Sequence, residues 1–234
     1  CGRDEAGIDG LEAQHAGFHA AASLDRRQQH HHGGHGHDDA LHGIGKDHGA
    51  EAAQRVLHAN GVRNVRIERV SGNLTDHFDP RENVIRLSDP VYNVRSVAAV
   101  GVAAHEAGHA VQYAVGYSPM KIRSALVPVT NIGSNLAMPL VLLGILLSFE
   151  TLAYLGVILF SATAIFQLVT LPVEFDASRR ALAALEGSGM SAEGMKGAKK
   201  VLSAAALTYV AALLTAVGNL LRLLVLVKRN DNRR

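Results

Sequence analysis

Three long apolar runs in the second half of the chain limit the folds that it can adopt. They cover residues 136–149, 152–171 and 201–227, and the second run contains no charged side chain. A helix needs about 20 apolar residues to cross the hydrocarbon core of a bilayer. The runs therefore predict three transmembrane helices, the first of which reaches spanning length only if it starts near residue 132. A buried helical hairpin in a soluble protein is the alternative interpretation.

The second informative feature is the sequence HEAGH at residues 105–109, which fits the zinc-hydrolase pattern H-E-x-x-H. Residues four apart on an α-helix lie on the same face, so His105 and His109 can bind one Zn²⁺. Glu106 is turned by roughly 100° from His105. That direction suits a general base that takes a proton from a metal-activated water. The alternative is a buried helix in which the two histidines are core residues and Glu106 is paired locally.

The residues around HEAGH predict a small α+β portion. Ser96 can cap a helix over residues 97–115, and Gly116 can end it. Before this helix, the pattern predicts a shorter helix from Ala50, then strands at 64–70 and 84–88. The strand that precedes the HEAGH helix has an edge that could pair with an extended peptide.

Residues 76–83 lie between the two strands and are predicted to form a turn. His77 and Asp79 in this segment are candidates for additional metal ligands. The alternative, which we favour, is that they are polar because turns are polar.

A third zinc ligand is expected after the second apolar run, because two membrane crossings return the chain to the side on which it started. That argument admits Glu174, Asp176, Glu186 and Glu193 alike. Glu174 is preferred because it opens a helix that restarts at Pro172, directly after the membrane span. A site of His105, His109 and Glu174 with water in the fourth position is a catalytic zinc arrangement. The alternative is that Glu174 only stabilises the start of this helix.

The first 47 residues and the overall charge bear on possible partners. Residues 30–48 contain a tract rich in His and Gly, which favours a disordered leader over a segment that gathers metal. The net charge is only +2, and basic and aromatic residues are not interleaved. The sequence therefore predicts no nucleic-acid partner.

From about residue 49 to residue 227 the chain resembles the bacterial family of membrane-bound neutral zinc metallopeptidases. The resemblance rests on six blocks of sequence: LTDHFDPR at 74–81, IRLS at 85–88, the HEAGH segment at 96–112, RSALVP at 123–128, VEFDASRRA at 173–181, and residues 204–212. It implies that His105, His109 and Glu174 are zinc ligands and that Glu106 is the catalytic base.

The chain departs from the family pattern at two points. The family usually begins with another membrane span, where this chain has the His-rich leader. In related zinc peptidases whose third ligand is a glutamate, an Asp often stands four residues after that glutamate and orients a histidine. Here that position is Ser178, and Asp176 lies on another face of the helix.

The sequence thus predicts a mainly α membrane protein, with a zincin-like α+β catalytic portion that carries the HEAGH helix and about three transmembrane helices. The predicted segments are a disordered leader (1–47), the catalytic portion (48–131), a transmembrane hairpin (132–172), a membrane-proximal helix and loop with the third ligand (173–200), and a transmembrane helix with a basic tail (201–234).

The predicted function is that of a membrane-anchored zinc endopeptidase of the bacterial inner membrane, with one Zn²⁺ per chain. Its expected partners are membrane lipid and a protein or peptide substrate, itself membrane-associated. Seven Lys or Arg residues flank the spans on the HEAGH side against four in the tail, which predicts a cytoplasmic active site. The alternatives are an intramembrane zinc protease, in which residues 97–115 span the bilayer, and a non-enzymatic membrane protein that binds metal through its leader.

Overall fold

A computed structural model of the protein describes residues 48–231, so the predicted disordered leader at 1–47 lies outside the described residues, as do residues 232–234. In chain order the elements are α1 (Gly49–Ala59), β1 (Arg66–Val70), β2 (His77–Asp79), β3 (Val84–Ser88), α2 (Asp89–Tyr92), α3 (Val97–Ala114), α4 (Ser118–Leu146), α5 (Glu150–Glu186) and α6 (Ala192–Asp231).

Three of these helices, α4, α5 and α6, are long and apolar enough to cross a membrane. The only sheet among residues 48–231 is small and has three strands. The prediction of a mainly α membrane protein is therefore confirmed. The described residues form two compact units, which we name by their contents: the HEAGH unit (48–117 and 173–208) and the apolar unit (118–172 and 209–231).

In the HEAGH unit, a short helix and a small sheet surround helix α3. The strand order is β1-β3-β2, with β1 parallel and β2 antiparallel to the central strand β3. Strand β3 is central because its apolar residues on both faces, Val84, Ile85 and Leu87, are fully buried. Helix α1 buries the stripe formed by Ala53, Val56 and Leu57, as its apolar periodicity predicts.

Helix α3 begins and ends close to the predicted residues. The Ser96 hydroxyl accepts a hydrogen bond from the Ala99 backbone N–H at 3.1 Å, which satisfies one of the free donors at the helix start. The helix ends at Ala114, and Gly116 adopts a left-handed conformation with φ of 68°. Fifteen of its residues are buried. The prediction of a helix over residues 97–115 is confirmed to within one residue.

Three predictions about local structure are wrong. The strand directly before the HEAGH helix, β3, has no free edge for an extended peptide, because β1 pairs with it on one side and β2 on the other. The segment predicted as one turn over 76–83 contains strand β2, because His77–Asp79 pairs with β3 and only the residues after Asp79 turn. The predicted helix restart at Pro172 is also wrong, since α5 runs unbroken from Glu150 to Glu186. Proline removes one backbone hydrogen bond from a helix, and apolar helices of membrane proteins tolerate that loss.

In the apolar unit, helices α4 and α5 form a tight antiparallel hairpin. A β-carbon on Gly156 would lie 2.7 Å from the carbonyl oxygen of Ala137, so glycine is needed for this close approach. Val141, Ala153 and Val157 form a core with Leu223 and Val227 of α6. Many other large apolar side chains of this unit point outward, as expected of helices whose surface faces lipid: Ile132, Leu142, Leu146, Ile158, Leu168, Leu214 and Val225 are each more than half exposed.

Candidate metal centre

Two histidines of α3 and one glutamate of α5 lie together inside the HEAGH unit. The Nε2 atoms of His105 and His109 lie 3.1 Å and 3.5 Å from Oε2 of Glu174. One potential ligand atom from each residue lies within 4.8 Å of the others, and no second group of three such residues occurs in the part of the chain that the structure describes. Each of the three residues is at most 2% exposed. Two imidazole nitrogens and a carboxylate oxygen are a donor set that suits Zn²⁺.

The local structure explains how these side chains come together. His105 and His109 are four residues apart on α3, so their rings lie one above the other with centroids 4.7 Å apart. Glu174 comes from α5, which passes close to α3 at Gly108. A β-carbon at Gly108 would lie only 2.5 Å from the carbonyl oxygen of Ala177. The glycine of HEAGH therefore allows the two helices to approach closely enough for their side chains to share one site.

The predicted general base, Glu106, is fully buried and contacts the sheet. Its Oε2 atom accepts a hydrogen bond of 3.1 Å from the backbone N–H of Phe78 in strand β2. The Phe78 ring lies 5.8 Å, between centroids, from the ring of Tyr113, which follows His109 by one helical turn. An edge strand thus fixes one oxygen of the Glu106 carboxylate.

A second layer of polar residues contacts the two histidines. The Nδ1 atom of His105 lies 3.1 Å from the hydroxyl of Ser178, and Nδ1 of His109 lies 3.1 Å from Oε1 of Gln112. The Gln112 amide nitrogen donates to the Val173 carbonyl at 2.7 Å and to Oδ2 of Asp176 at 3.0 Å. Each histidine therefore has a polar neighbour on the ring nitrogen that points away from Glu174.

The other carboxylates that chain topology admitted as third ligands lie elsewhere. Asp176 faces Gln112 and forms ion pairs with Arg179 and Arg180. Glu186 and Glu193 are exposed. None of the three belongs to the group of potential metal ligands among the described residues.

His77 and Asp79 also lie outside this group. Nδ1 of His77 lies 2.8 Å from the carbonyl oxygen of Thr75, and Asp79 accepts a hydrogen bond of 3.0 Å from Arg86. Partial burial by itself would raise the pKa of Asp79. The backbone N–H of Arg81 and the Arg86 guanidinium outweigh that effect, and the pKa is lowered below its ordinary value. Both side chains thus have polar partners in or next to the small sheet.

Comparison with known proteins places the chain in a family. Residues 43–228 match a family described as "Putative neutral zinc metallopeptidase". The chain belongs to this family. It is also 49% identical over 179 residues to the "Putative membrane protease YugP" of Bacillus subtilis (strain 168), a match that covers 76% of this chain and 80% of the relative. No solved structure matches the chain. The resemblance drawn from the sequence blocks is thus confirmed.

Some residues around the centre of this zinc metallopeptidase family member were not predicted from the sequence. Gln112 lies three residues after His109 on the same face of α3, so its spacing could have identified it as a neighbour of the ring. The Phe78 N–H and the close approach at Gly108 could not be found in this way, because both depend on which elements pack against α3.

Proposed function

We propose that the protein is a membrane-anchored zinc endopeptidase in which His105, His109 and Glu174 hold one Zn²⁺ and Glu106 is the general base. The observation that carries this proposal is the buried group of two histidines and one glutamate. A carboxylate next to the metal ligands and membership of a zinc metallopeptidase family support the same reaction.

When bound, Zn²⁺ would supply Lewis acidity that activates a water and polarises the carbonyl group of a peptide bond. Glu106 would take the proton from the attacking water and later deliver it to the leaving amine. The Phe78 N–H orients this carboxylate by donating a hydrogen bond to its Oε2 atom. Nearly complete burial of the ligands keeps competing water out of the centre.

The contacts of α3 favour this reaction over an intramembrane protease. Helix α3 is not among the three candidate membrane spans of residues 48–231. It packs instead against the amphipathic helix α1 and against strands β2 and β3. We therefore propose that the HEAGH helix belongs to a catalytic portion outside the bilayer.

A non-enzymatic protein that binds metal through residues 1–47 is the remaining alternative. This alternative predicts a different number of zinc ions per chain once residues 1–47 are removed, because the proposed centre lies entirely in residues 105–174. Deletion of residues 1–47 should leave one Zn²⁺ per chain if the centre binds it. Loss of all zinc on this deletion would favour the leader.

The position of Glu174 in the sequence suggests the class of substrate. Glu174 follows the uncharged run 152–171 by three residues, and three helical residues span about 4.5 Å. We propose that the centre acts close to the membrane surface, on membrane-associated proteins or apolar peptide segments. The excess of Lys and Arg on the HEAGH side supports a cytoplasmic location on the bacterial inner membrane.

The decisive experiment measures zinc content and peptide cleavage of the purified full chain, with and without a chelator. Glu106→Gln should keep zinc but lower cleavage by at least about 10²-fold, because an amide cannot accept the proton. Glu174→Gln should lose zinc, whereas Glu186→Gln and Glu193→Gln, which change exposed carboxylates of the same unit, should keep it. Full cleavage by Glu106→Gln, or undiminished zinc in Glu174→Gln, would refute the respective assignment.

A further inference from the structure

We propose that Gln112, held by Asp176, is a positioning residue that fixes His109 in the one tautomer able to bind a metal through Nε2. The inference rests on the proposed zinc centre, but not on peptide cleavage. It concerns the buried chain of contacts that runs from His109 through Gln112 and Asp176 to Arg180.

The orientation of the Gln112 amide is determined by its neighbours. The two ends of an amide group are a nitrogen that only donates hydrogen bonds and an oxygen that only accepts them. One end of Gln112 faces the Val173 carbonyl oxygen at 2.7 Å and the Asp176 carboxylate at 3.0 Å, and both of these groups are acceptors. The nitrogen must therefore lie at this end, since turning the amide over would place three acceptors together.

This orientation determines the tautomer of His109. With the nitrogen committed to Val173 and Asp176, the Gln112 oxygen faces Nδ1 of His109 at 3.1 Å. That oxygen can only accept, so Nδ1 must carry the hydrogen. A neutral imidazole has one N–H, and its other nitrogen then has the lone pair that binds a metal. In His109 this nitrogen is Nε2, which lies 3.5 Å from Oε2 of Glu174.

Asp176 makes the orientation of Gln112 difficult to reverse. Its Oδ2 atom accepts a hydrogen bond of 2.6 Å from Nε of Arg180, and its Oδ1 atom is paired with Arg179. The Arg180 guanidinium in turn lies over the Tyr117 ring, 5.9 Å from its centroid. Gln112 is fully buried and Asp176 is 5% exposed. A flipped amide would therefore lose the two hydrogen bonds that Gln112 donates and would place its oxygen against two buried acceptors, which is unfavourable.

The arrangement at His105 does not impose the same restriction. Its Nδ1 atom lies 3.1 Å from the Ser178 hydroxyl, which can either donate or accept a hydrogen bond. Both tautomers of His105 can satisfy that contact. Tautomer control in this centre is consequently asymmetric and comes from the His109 side, through the Gln112 amide.

The test measures the zinc affinity of the full-length, detergent-solubilised protein by competition with a chromogenic chelator. Gln112→Met keeps the length of the side chain but removes both its donor and its acceptor. We expect a loss of about 10- to 100-fold in zinc affinity, the range found when partners of metal-bound histidines are removed. Gln167→Met makes the same chemical change at another buried glutamine and should change the affinity by less than about twofold.

Asp176→Asn provides a second and nearly isosteric variant, which also serves if Gln112→Met does not fold. It should weaken zinc binding in the same direction. The double variant should lose little more than Gln112→Met alone, because both residues act through His109. The visible spectrum of the cobalt-substituted protein should change in both variants and not in Gln167→Met.

The outcomes separate this inference from the proposed function. Wild-type zinc affinity in Gln112→Met, or a loss equal to that of Gln167→Met, would overturn the role of Gln112. Additive losses in the double variant would show that the two residues do not act through the same histidine. A wild-type protein that binds zinc but cleaves no peptide would refute the endopeptidase and leave the role of Gln112 standing.

Discussion

Gly108 offers the sharpest test of how the centre is built, because it is the glycine inside HEAGH and touches the backbone of the neighbouring helix. Gly108→Ala adds one methyl group to α3. That carbon would lie 2.5 Å from the carbonyl oxygen of Ala177 and 3.0 Å from its carbonyl carbon. Backbone atoms cannot turn aside as the end of a flexible side chain can, so α3 and α5 must separate at this point.

The size of the effect follows from the contact distance. The new carbon comes about 0.5 Å closer to the oxygen than the 3.0 Å below which such contacts essentially never occur. Metal–ligand distances tolerate deviations of only about 0.2 Å. Ala177 lies between Glu174 and Ser178, so a separation of this size displaces the proposed third ligand by more than the bonds tolerate. Overpacking of this kind costs about 1–3 kcal/mol, which corresponds to about a 5- to 150-fold loss of zinc affinity.

The assay compares zinc affinity with the thermal stability of the metal-free protein. We expect the two helices to move apart in the metal-free variant, where no ligand distances have to be kept, and alanine is favoured over glycine in a helix by about 1 kcal/mol. We therefore expect Gly108→Ala to lose zinc affinity while its metal-free melting temperature changes little. Gly101→Ala is the matched control on the same helix, because a carbon there would lie 3.8 Å from its nearest neighbour, a side-chain methyl of Val201.

Gly101→Ala should keep wild-type zinc affinity. If Gly108→Ala also binds zinc as tightly as the wild type, the close approach of α3 and α5 does not hold the ligands together. Equal losses in both variants would lead to the same conclusion.

Two further predictions concern topology and pH. For the topology, single cysteines are introduced at Ser118, Glu150 or Arg229 in a variant without the native cysteine and are labelled in sealed, oriented vesicles. Position 118 should be labelled from one side of the membrane, and positions 150 and 229 from the other side. Labelling of positions 118 and 229 from the same side would contradict three membrane spans. The pKa of Asp79 is lowered in the folded protein, so the ionised carboxylate stabilises the fold. This stabilisation is fully present when the pH is above the ordinary pKa of 3.8, and it is lost as the pH falls through the pKa of the folded protein. In metal-free protein, the melting temperature of Asp79→Asn should thus be lower than that of the wild type at pH 6, and the two temperatures should approach each other near pH 3. A constant difference in melting temperature across that range would show that the charge of Asp79 does not stabilise the fold.

The sequence alone determined the features that depend on neighbouring residues. The apolar runs indicated three membrane helices because spanning length is a matter of local composition. Ser96 and Gly116 marked the ends of α3 because caps act within one helical turn. His105 and His109 were expected on one face because helix periodicity places residues four apart together. The resemblance to a zinc metallopeptidase family followed from blocks of neighbouring residues, and the family match over residues 43–228 confirms it.

Tertiary structure decided what depends on residues far apart in the chain. Four carboxylates satisfied the argument from membrane crossings, and only the packing of α5 against α3 brings Glu174, and not Asp176, to the histidines. Strand β2 was hidden in a turn-like sequence because its pairing partner, β3, supplies the hydrogen bonds that define it. Pro172 indicates a helix boundary by local rules, yet α5 continues through it.

The contacts of Gln112 show the physical reason for this division most clearly. Its spacing from His109 is a local property and could be read from the sequence. The direction of its amide is set by Val173 and Asp176, which are 61 and 64 residues away. Hydrogen-bond polarity in a buried site depends on all the groups that surround it at once. Periodicity can thus place a side chain on a face, but only the packed structure determines which partner it meets and which atom it presents.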